Sequence, residues 1–447
     1  MRINSREIML SILRQVRSGR FLDDTLLDLL DVPDLKREDA SLVREVVYGT
    51  LRHRRFLDYH IEVSAKRSVR SLHPDVLDLL RLSCYQILFL DRVPDFAAVN
   101  EAVSLARRVC PGRPGVPGFV NGCLRGVIRN RQSLALPSRS TDLVRHLGVC
   151  YSHPDWLVSY WLDHMDSRDV ESLLSANNLV PPFTVRTNTL KTDRASLAYS
   201  LADRGFESIP GEIAPEALIL KNPAGVMDID LYENGHFFVQ DEASMVVSLA
   251  VAPRPGERII DACSAPGGKT THMAALMGNE GEILALDISE ERIQRVRENC
   301  ARLGVTCVRC AVSDARKLQD VHLADRVLVD APCSGLGVIR RNPDIKWGRS
   351  MRDIRGLAVL QKEILAAASK WVRPGGVLVY STCTLSPIEN EGVVEEFLAS
   401  SDFVPDALPE GFPGAAPGSC MARLAPSLQG TDGFFIYRMR RGGPDQA

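Results

Sequence analysis

Hydrophobic positions in the first 130 residues recur every three or four. In "SREIMLSILRQV", Ile8, Met9, Ile12, Leu13 and Val16 share one helical face, with Ser5 as candidate N-cap. "EDASLVREVVYGTLRHRRFLDYHI", "HPDVLDLLRLSCYQILFL", "DFAAVNEAVSLARRV" and "GFVNGCLRGVIRN" keep that period, and no alternating stretch interrupts them. The pattern predicts an all-α bundle over residues 1–140. A weak seam, "RQSLALPSRSTDLVRHLGVC", follows at 131–150. The period then shortens. "PFTVRTNTL" alternates as a strand, "RASLAYSLADRG" is a short helix, and "APEALIL" and "HFFVQD" are further strands. A small α+β connecting region is expected over 150–240.

Residues 241–447 form the third predicted domain. "ERIIDAC", "GEILALD", "CVRCAVSD", "ADRVLVDAP" and "VLVYSTC" read as strands, with "GFFIYRMRR" as a late one. Between them lie helices at "GGKTTHMAALM", "SEERIQRVRENCARLG", 352–372 and "IENEGVVEEFLAS". Alternation of this kind builds a mostly parallel α/β sheet, whose ligands lie outside the carboxyl ends of the strands. Asp261, Asp287, Asp314, Asp330 and Cys383 fall at those ends.

Composition narrows the class. Of 447 residues, 45% are hydrophobic and 25% charged, as in a soluble globular protein. No apolar run approaches the roughly 18 residues of a membrane span. "MRINSREIML" lacks the apolar region of a signal peptide, so a cytoplasmic protein with no membrane partner is expected. Eleven cysteines, an odd number in a long chain, argue against a disulfide framework. Cys307 and Cys310 form a lone Cys-x-x-Cys without a second pair or a nearby histidine, so no metal site is expected. The net charge of −2 hides a division. Residues 1–140 hold 23 Lys+Arg against 16 Asp+Glu, and seven arginines but no acid lie between Glu101 and Asp142. A basic module on an acidic body suggests a polyanionic partner, with Arg125 and Arg129 four residues apart on one face.

"DACSAPGGKTTH" sets two glycines and a lysine between a strand and its helix. Glycine lets a ligand approach the backbone, and the helix start offers unpaired N–H groups. The loop is not a phosphate-binding Walker A sequence, because Cys263 stands where that pattern needs glycine, and it lacks G-x-G-x-x-G. Asp287, nineteen residues after Gly268, stands where an acid holds ribose hydroxyls, and Asp314 where one can meet an adenine amino group. Singly, each aspartate reads better as a turn or cap residue. Together they suit a nucleoside with an amino-acid tail, S-adenosylmethionine.

"DACSAPGGKTTH", "VLVDAPCSGLGVIRRNPDIKW" and "YSTCTLSPIENEGVV" resemble the signature motifs of RNA cytosine-5 methyltransferases. "REVVYGTLRHRRFLD", "YQILFLDRVPDFAAVNEAV" and "GFVNGCLRGVIRN" resemble the NusB-like helical RNA-binding domain that precedes the catalytic domain in the Sun/RsmB family of bacterial 16S rRNA cytosine-5 methyltransferases. "SHPDWLVSYW", "FTVRTNTL" and "FFVQDEASM" are similar to its connecting region, so the likeness spans nearly the whole chain.

The resemblance implies a multidomain enzyme: a NusB-like bundle, a connecting subdomain and a Rossmann-like S-adenosylmethionine-dependent catalytic domain. It implies cofactor contacts at Cys263, Ser264, Ala265, Pro266, Gly267, Gly268, Lys269, Asp287, Asp314 and Asp330. It makes Cys383 the nucleophile and Cys333 the second thiol, with Asp330 at the base edge or the methyl donor and Lys269 orienting it or the cofactor tail. Ser313, Leu336 and Thr384 depart from residues common in the family without removing a reacting group. Arg340, Arg341, Lys346 and Trp347 are candidates to hold RNA phosphates and stack a base, or else a basic turn with a packing tryptophan. The expected partner is 16S rRNA and the expected state a monomer. Two other readings stay open: a NusB-like RNA-binding regulator with an inactive methyltransferase body, and a DNA cytosine-5 methyltransferase attacking through Cys333.

Overall fold

The computed structural model describes residues 4–30, 35–318 and 322–443. It divides into two compact units, one running to Leu179 and including Ile339–Gly348, the other formed by Val180–Val338 and the chain from Arg349 onward.

The first unit is helical. Ser5–Arg17, Leu22–Leu30, Arg37–Arg52, Arg54–Ala65, Pro74–Phe89, Asp95–Val109 and Gly115–Asn130 pack around one core that includes Met9, Ile12, Val43, Val47, Leu57, Ile61, Leu80 and Leu124. The cap of the first helix is Asn4, whose side chain accepts from the Arg6 N–H, and Ser5 is the first helical residue. Three helices of eight to ten residues, Leu143–Cys150, Asp155–Leu162 and Ser167–Ala176, group with this unit. The sequence assigns them to the seam and the connecting region, because two turns of helix are too short to display a period.

The second unit holds two sheets. The smaller, in the order β2-β3-β1-β4, is antiparallel and consists of β1 (Phe183–Thr187), β2 (Ser208–Pro210), β3 (Ala217–Leu220) and β4 (Phe237–Val239). The larger contains β5 (Arg258–Asp261), β6 (Glu282–Asp287), β7 (Val308–Val312), β8 (Ala324–Asp330), β9 (Val372–Thr382), β10 (Phe403–Pro405), β11 (Met421–Leu424) and β12 (Phe434–Arg441). Its order is β10-β12-β9-β8-β5-β6-β7, with β11 beside β12. The five strands from β9 to β7 are parallel, and β12 returns antiparallel along β9.

Successive residues of a strand face opposite sides. Ile259, Leu328 and Val379 therefore join one buried cluster with the helix Glu242–Val251, while Ile260, Val327, Val329 and Tyr380 join another with the helix Met351–Ala368. Apolar surface on both faces is what the near-continuous hydrophobic strands require. The strand order reverses between β5 and β8, and at that switch point the carboxyl ends leave a crevice.

Candidate active site

The loop after β5 is tied down from several sides. Both the N–H and the hydroxyl of Ser264 donate to the Leu286 carbonyl, at 2.7 and 2.9 Å. Asn299 Nδ2 donates to the Pro266 carbonyl at 3.0 Å. Gly267 has φ +98°, and a Cβ there would also press against Val296 at 3.2 Å. Thr270 Oγ1 donates to Asp261 Oδ2 at 2.7 Å. The other Asp261 oxygen is buried with no hydrogen-bond partner, and burial pushes this carboxyl up to about 7.

A carboxyl whose folded pKa lies above its unfolded value binds its proton better when folded, so stability falls as pH rises from about 4 to about 7. Asp261→Asn keeps an acceptor for Thr270 and cannot ionise. Its melting temperature without ligand should exceed that of the parent at pH 8, and the gap should close by pH 4. A constant gap across that range would show that Asp261 does not titrate there.

Asp287, at the end of β6, is 4% exposed and accepts from the Ser289 N–H at 3.1 Å, with Arg292 at 3.5 Å. Asp314 is held in the fork of Arg316, at 3.0 and 2.8 Å, and this hydrogen bonding keeps its carboxyl below the usual range. An adenine amino group would have to share Asp314 with that guanidinium. The orphaned Asp261 oxygen, Asp287 and Asp314 are acceptors, and they fit a ligand rich in donors: ribose hydroxyls, an ammonium and an amino group.

At the end of β8, Asp330 is fixed by both oxygens. Lys269 Nζ donates to Oδ2 at 2.7 Å and Ser381 Oγ to Oδ1 at 2.7 Å. Burial by itself lowers the Lys269 pKa, but the charge and hydrogen bond of Asp330, with Cys383 and Asp261, together outweigh it and the net shift is upward. The ammonium also stands 5.1 Å over the Phe434 ring.

The two cysteines meet beside this pair. Cys333 follows β8, Cys383 follows β9, and their sulfurs lie 3.2 Å apart as free thiols. The contact with Cys383, then burial, pushes the Cys333 thiol well above its ordinary range. Burial, then the charges of Asp261, Asp330 and Asp287, does the same to Cys263. The Cys333 loop is held from behind. Gly337 N–H donates to the Cys383 carbonyl at 3.0 Å, and Gly433 N–H to the Gly337 carbonyl at 2.8 Å. A Cβ on Gly337 would stand 2.1 Å from the Gly433 oxygen, so only glycine fits.

Other predicted contacts lie elsewhere. Arg125 and Arg129 are exposed on the helical unit. The candidate RNA contacts after Cys333 need correction. Lys346 is fully buried within the helical unit, where Nζ donates to the carbonyls of Arg52 and Ser152, both at 3.1 Å, and to Asn178 Oδ1 at 2.7 Å. Burial, then the Arg52 charge, pushes its pKa well down. Trp347 Nε1 donates to the Leu51 carbonyl at 2.7 Å under Arg54, and Arg340 is 3% exposed. Lys346 and Arg340 thus meet protein rather than phosphate, and the Trp347 indole packs in that same interior. Arg341 is half-buried.

Sequence reasoning missed Ser381, which shares Asp330, and the buried Glu389 behind the cysteines. Glu389 was readable only as one acid in "IENEGVV"; the helix there begins at Glu391, leaving Glu389 in the loop.

Comparison with known proteins agrees with this arrangement. The family model described as 16S rRNA methyltransferase RsmB/F matches residues 248–440. The NusB family matches residues 3–129, and the ferredoxin-like domain of RsmF/B-like methyltransferases matches 153–227. The probable ribosomal RNA small subunit methyltransferase B of Bacillus subtilis (strain 168) is 37% identical over 449 residues, covering 98% of this chain and 99% of that protein. The ribosomal RNA small subunit methyltransferase B of Escherichia coli O17:K52:H18 is 35% identical, covering 95% of each. The crystal structure of PH0851 superposes with a TM-score of 0.81 at 27% identity, over 99% of this chain and all of that one. Among the described residues, no helix is long and apolar enough to cross a membrane.

Proposed function

The chain belongs to the RsmB/F family of S-adenosylmethionine-dependent 16S rRNA methyltransferases, and from that premise we propose that it methylates C5 of a cytosine in 16S rRNA through a covalent Cys383–cytosine adduct. The observation that carries the reading is the pair of free thiols 3.2 Å apart beside the Lys269–Asp330 ion pair. The helical unit, with Arg125 and Arg129 exposed, supplies RNA affinity, and the protein works as a monomer in the cytoplasm.

Bound S-adenosylmethionine supplies an electrophilic methyl group. The residues that would hold it are the 263–269 loop, Asp287 and Asp314, with Asp330 at the reacting end. Cytosine C5 is too weak a nucleophile to take a methyl group unaided. A thiolate adding at C6 makes C5 enamine-like, and cysteine suits this because it both attacks and leaves well. The base must be single-stranded or drawn out of its stack to be reached. Lys269 and Ser381 hold Asp330 in one orientation, and on this reading Asp330 shares a proton with the base edge as negative charge develops at N3 during attack.

The reading is tested with 16S rRNA transcripts carrying tritium at cytosine C5. Release of one tritium per methyl transferred is expected. Methyl transfer with full retention of tritium would rule out reaction at C5.

Asp287→Ala should weaken S-adenosylmethionine by about 1.5–3 kcal/mol, through loss of charge-assisted ribose hydrogen bonds. Calorimetry on the apo protein measures this directly, and unchanged affinity would remove Asp287 from the cofactor site.

A further inference from the structure

The acid that sequence reasoning missed has no part in the mechanism above, yet it is wholly buried beside the two thiols. Its partners come from both cysteine loops. Glu389 Oε1 accepts from the Ser334 N–H at 2.8 Å and from Gln361 Nε2 at 3.0 Å. Oε2 accepts from the Ser334 hydroxyl and from Thr384 Oγ1, the latter at 3.3 Å. Ser334 follows Cys333 and Thr384 follows Cys383, and their hydroxyls also meet at 2.8 Å. Gln361 Nε2 completes the tie by donating to the Pro332 carbonyl at 2.9 Å, on the other side of Cys333. Tyr380 OH donates to the Glu389 carbonyl at 2.7 Å, fixing the backbone.

We propose that Glu389 is a positioning residue: it clamps the Cys333 loop to the Cys383 loop and keeps Cys333 a neutral thiol that donates a hydrogen bond to the departing Cys383 sulfur. The proposal deepens the reading of the two thiols given above and rests on it.

The geometry supplies the clamp. One carboxylate takes donors from the residue after each cysteine, so the sulfur separation depends on it. The electrostatics supply the asymmetry. Glu389 acts on Cys333 as a buried negative charge, favouring the neutral thiol, whereas the Lys269 ammonium interacts with Cys383. The other titratable groups facing the pair are Tyr380 and Asp330, the latter already tied to Lys269. Burial raises the Glu389 carboxyl, and the hydrogen bonds from Ser334, Gln361 and Thr384 oppose that shift.

In the release step the C5 proton leaves to water, the C5–H electron pair becomes the C5–C6 double bond, and the C6–S bond breaks with its pair returning to Cys383 as a thiolate. Cys333, kept as a thiol 3.2 Å away, donates a hydrogen bond to that thiolate.

The test compares Glu389→Gln and Glu389→Ala in the full chain, with S-adenosylhomocysteine binding as the check on folding. Alkylation of each cysteine by iodoacetamide is followed against pH by mass spectrometry. Glu389→Gln keeps the acceptor for Ser334 but loses the charge, so Cys333 should alkylate about tenfold faster at a given pH. In methyl transfer, kcat should fall about tenfold for Gln and about a hundredfold for Ala, which also loses the clamp, with RNA KM unchanged. Should Glu389→Ala fail to bind S-adenosylhomocysteine, the Gln variant decides alone. A Cys333 alkylation profile identical to the parent's in Glu389→Gln would overturn the proposal. Because alkylation needs no RNA, it reads the role of Glu389 even if the C5 reading fails in the tritium experiment.

Discussion

Cys383→Ala should abolish methyl transfer and any covalent RNA adduct, while Cys333→Ala should accumulate the adduct. Without the Cys383 thiolate nothing adds at C6 and C5 is never activated, so the loss is total rather than graded. Without Cys333, attack and methylation proceed, but expulsion of the Cys383 sulfur lacks its thiol partner 3.2 Å away. The position of the two residues does not assign these roles, because both follow parallel strands and their sulfurs touch. The assignment comes from the Ser-Thr-Cys pattern of the family. A denaturing gel with labelled RNA separates the outcomes: a retarded band for Cys333→Ala and none for Cys383→Ala. The opposite pattern would make Cys333 the nucleophile and support the DNA-type mechanism.

Lys346→Met should destabilise the helical unit by about 1–3 kcal/mol for each buried acceptor left without its donor. Methionine fills much of the same volume, so the loss comes from chemistry rather than from a cavity. The Arg52 and Ser152 carbonyls and the Asn178 amide oxygen lose a shared donor in a place water does not reach. Hydrogen exchange resolved by peptide should show faster opening around residues 52 and 152, with S-adenosylhomocysteine affinity preserved. A change below about 1 kcal/mol would mean that water enters and replaces the Lys346 nitrogen as donor.

Long elements were legible in the sequence because their periods are long enough to count. The five parallel strands and the helices between them follow directly from "ERIIDAC" through "VLVYSTC", and the acids at the strand ends mark the crevice. The short strands β2, β10 and β11 have three or four residues and were not legible, because two alternations cannot be told from a loop. Partnerships across the sheet were hidden for another reason. That Lys269 and Ser381 both reach Asp330 depends on β5, β8 and β9 being neighbours, a fact of strand order rather than of local pattern. The misreading of "RRNPDIKW" has the same origin. Basic residues in a polar stretch read as surface, and only tertiary structure shows Lys346 satisfying carbonyls nearly 200 and 300 residues away.

The return of Ile339–Gly348 to the helical unit also sets a schedule for synthesis. When Leu179 leaves the ribosome, the bundle still lacks its last piece, which is made about 160 residues later. At roughly 5–20 residues per second, that is a wait of about 8–32 seconds, during which the carbonyls destined for Lys346 face water. The helical unit can therefore be finished only when four of the eight strands of the larger sheet, β5 to β8, have already been translated. A truncated chain ending before Ile339 should stall as an incomplete bundle, open to nascent-chain chaperones, however well its helices form.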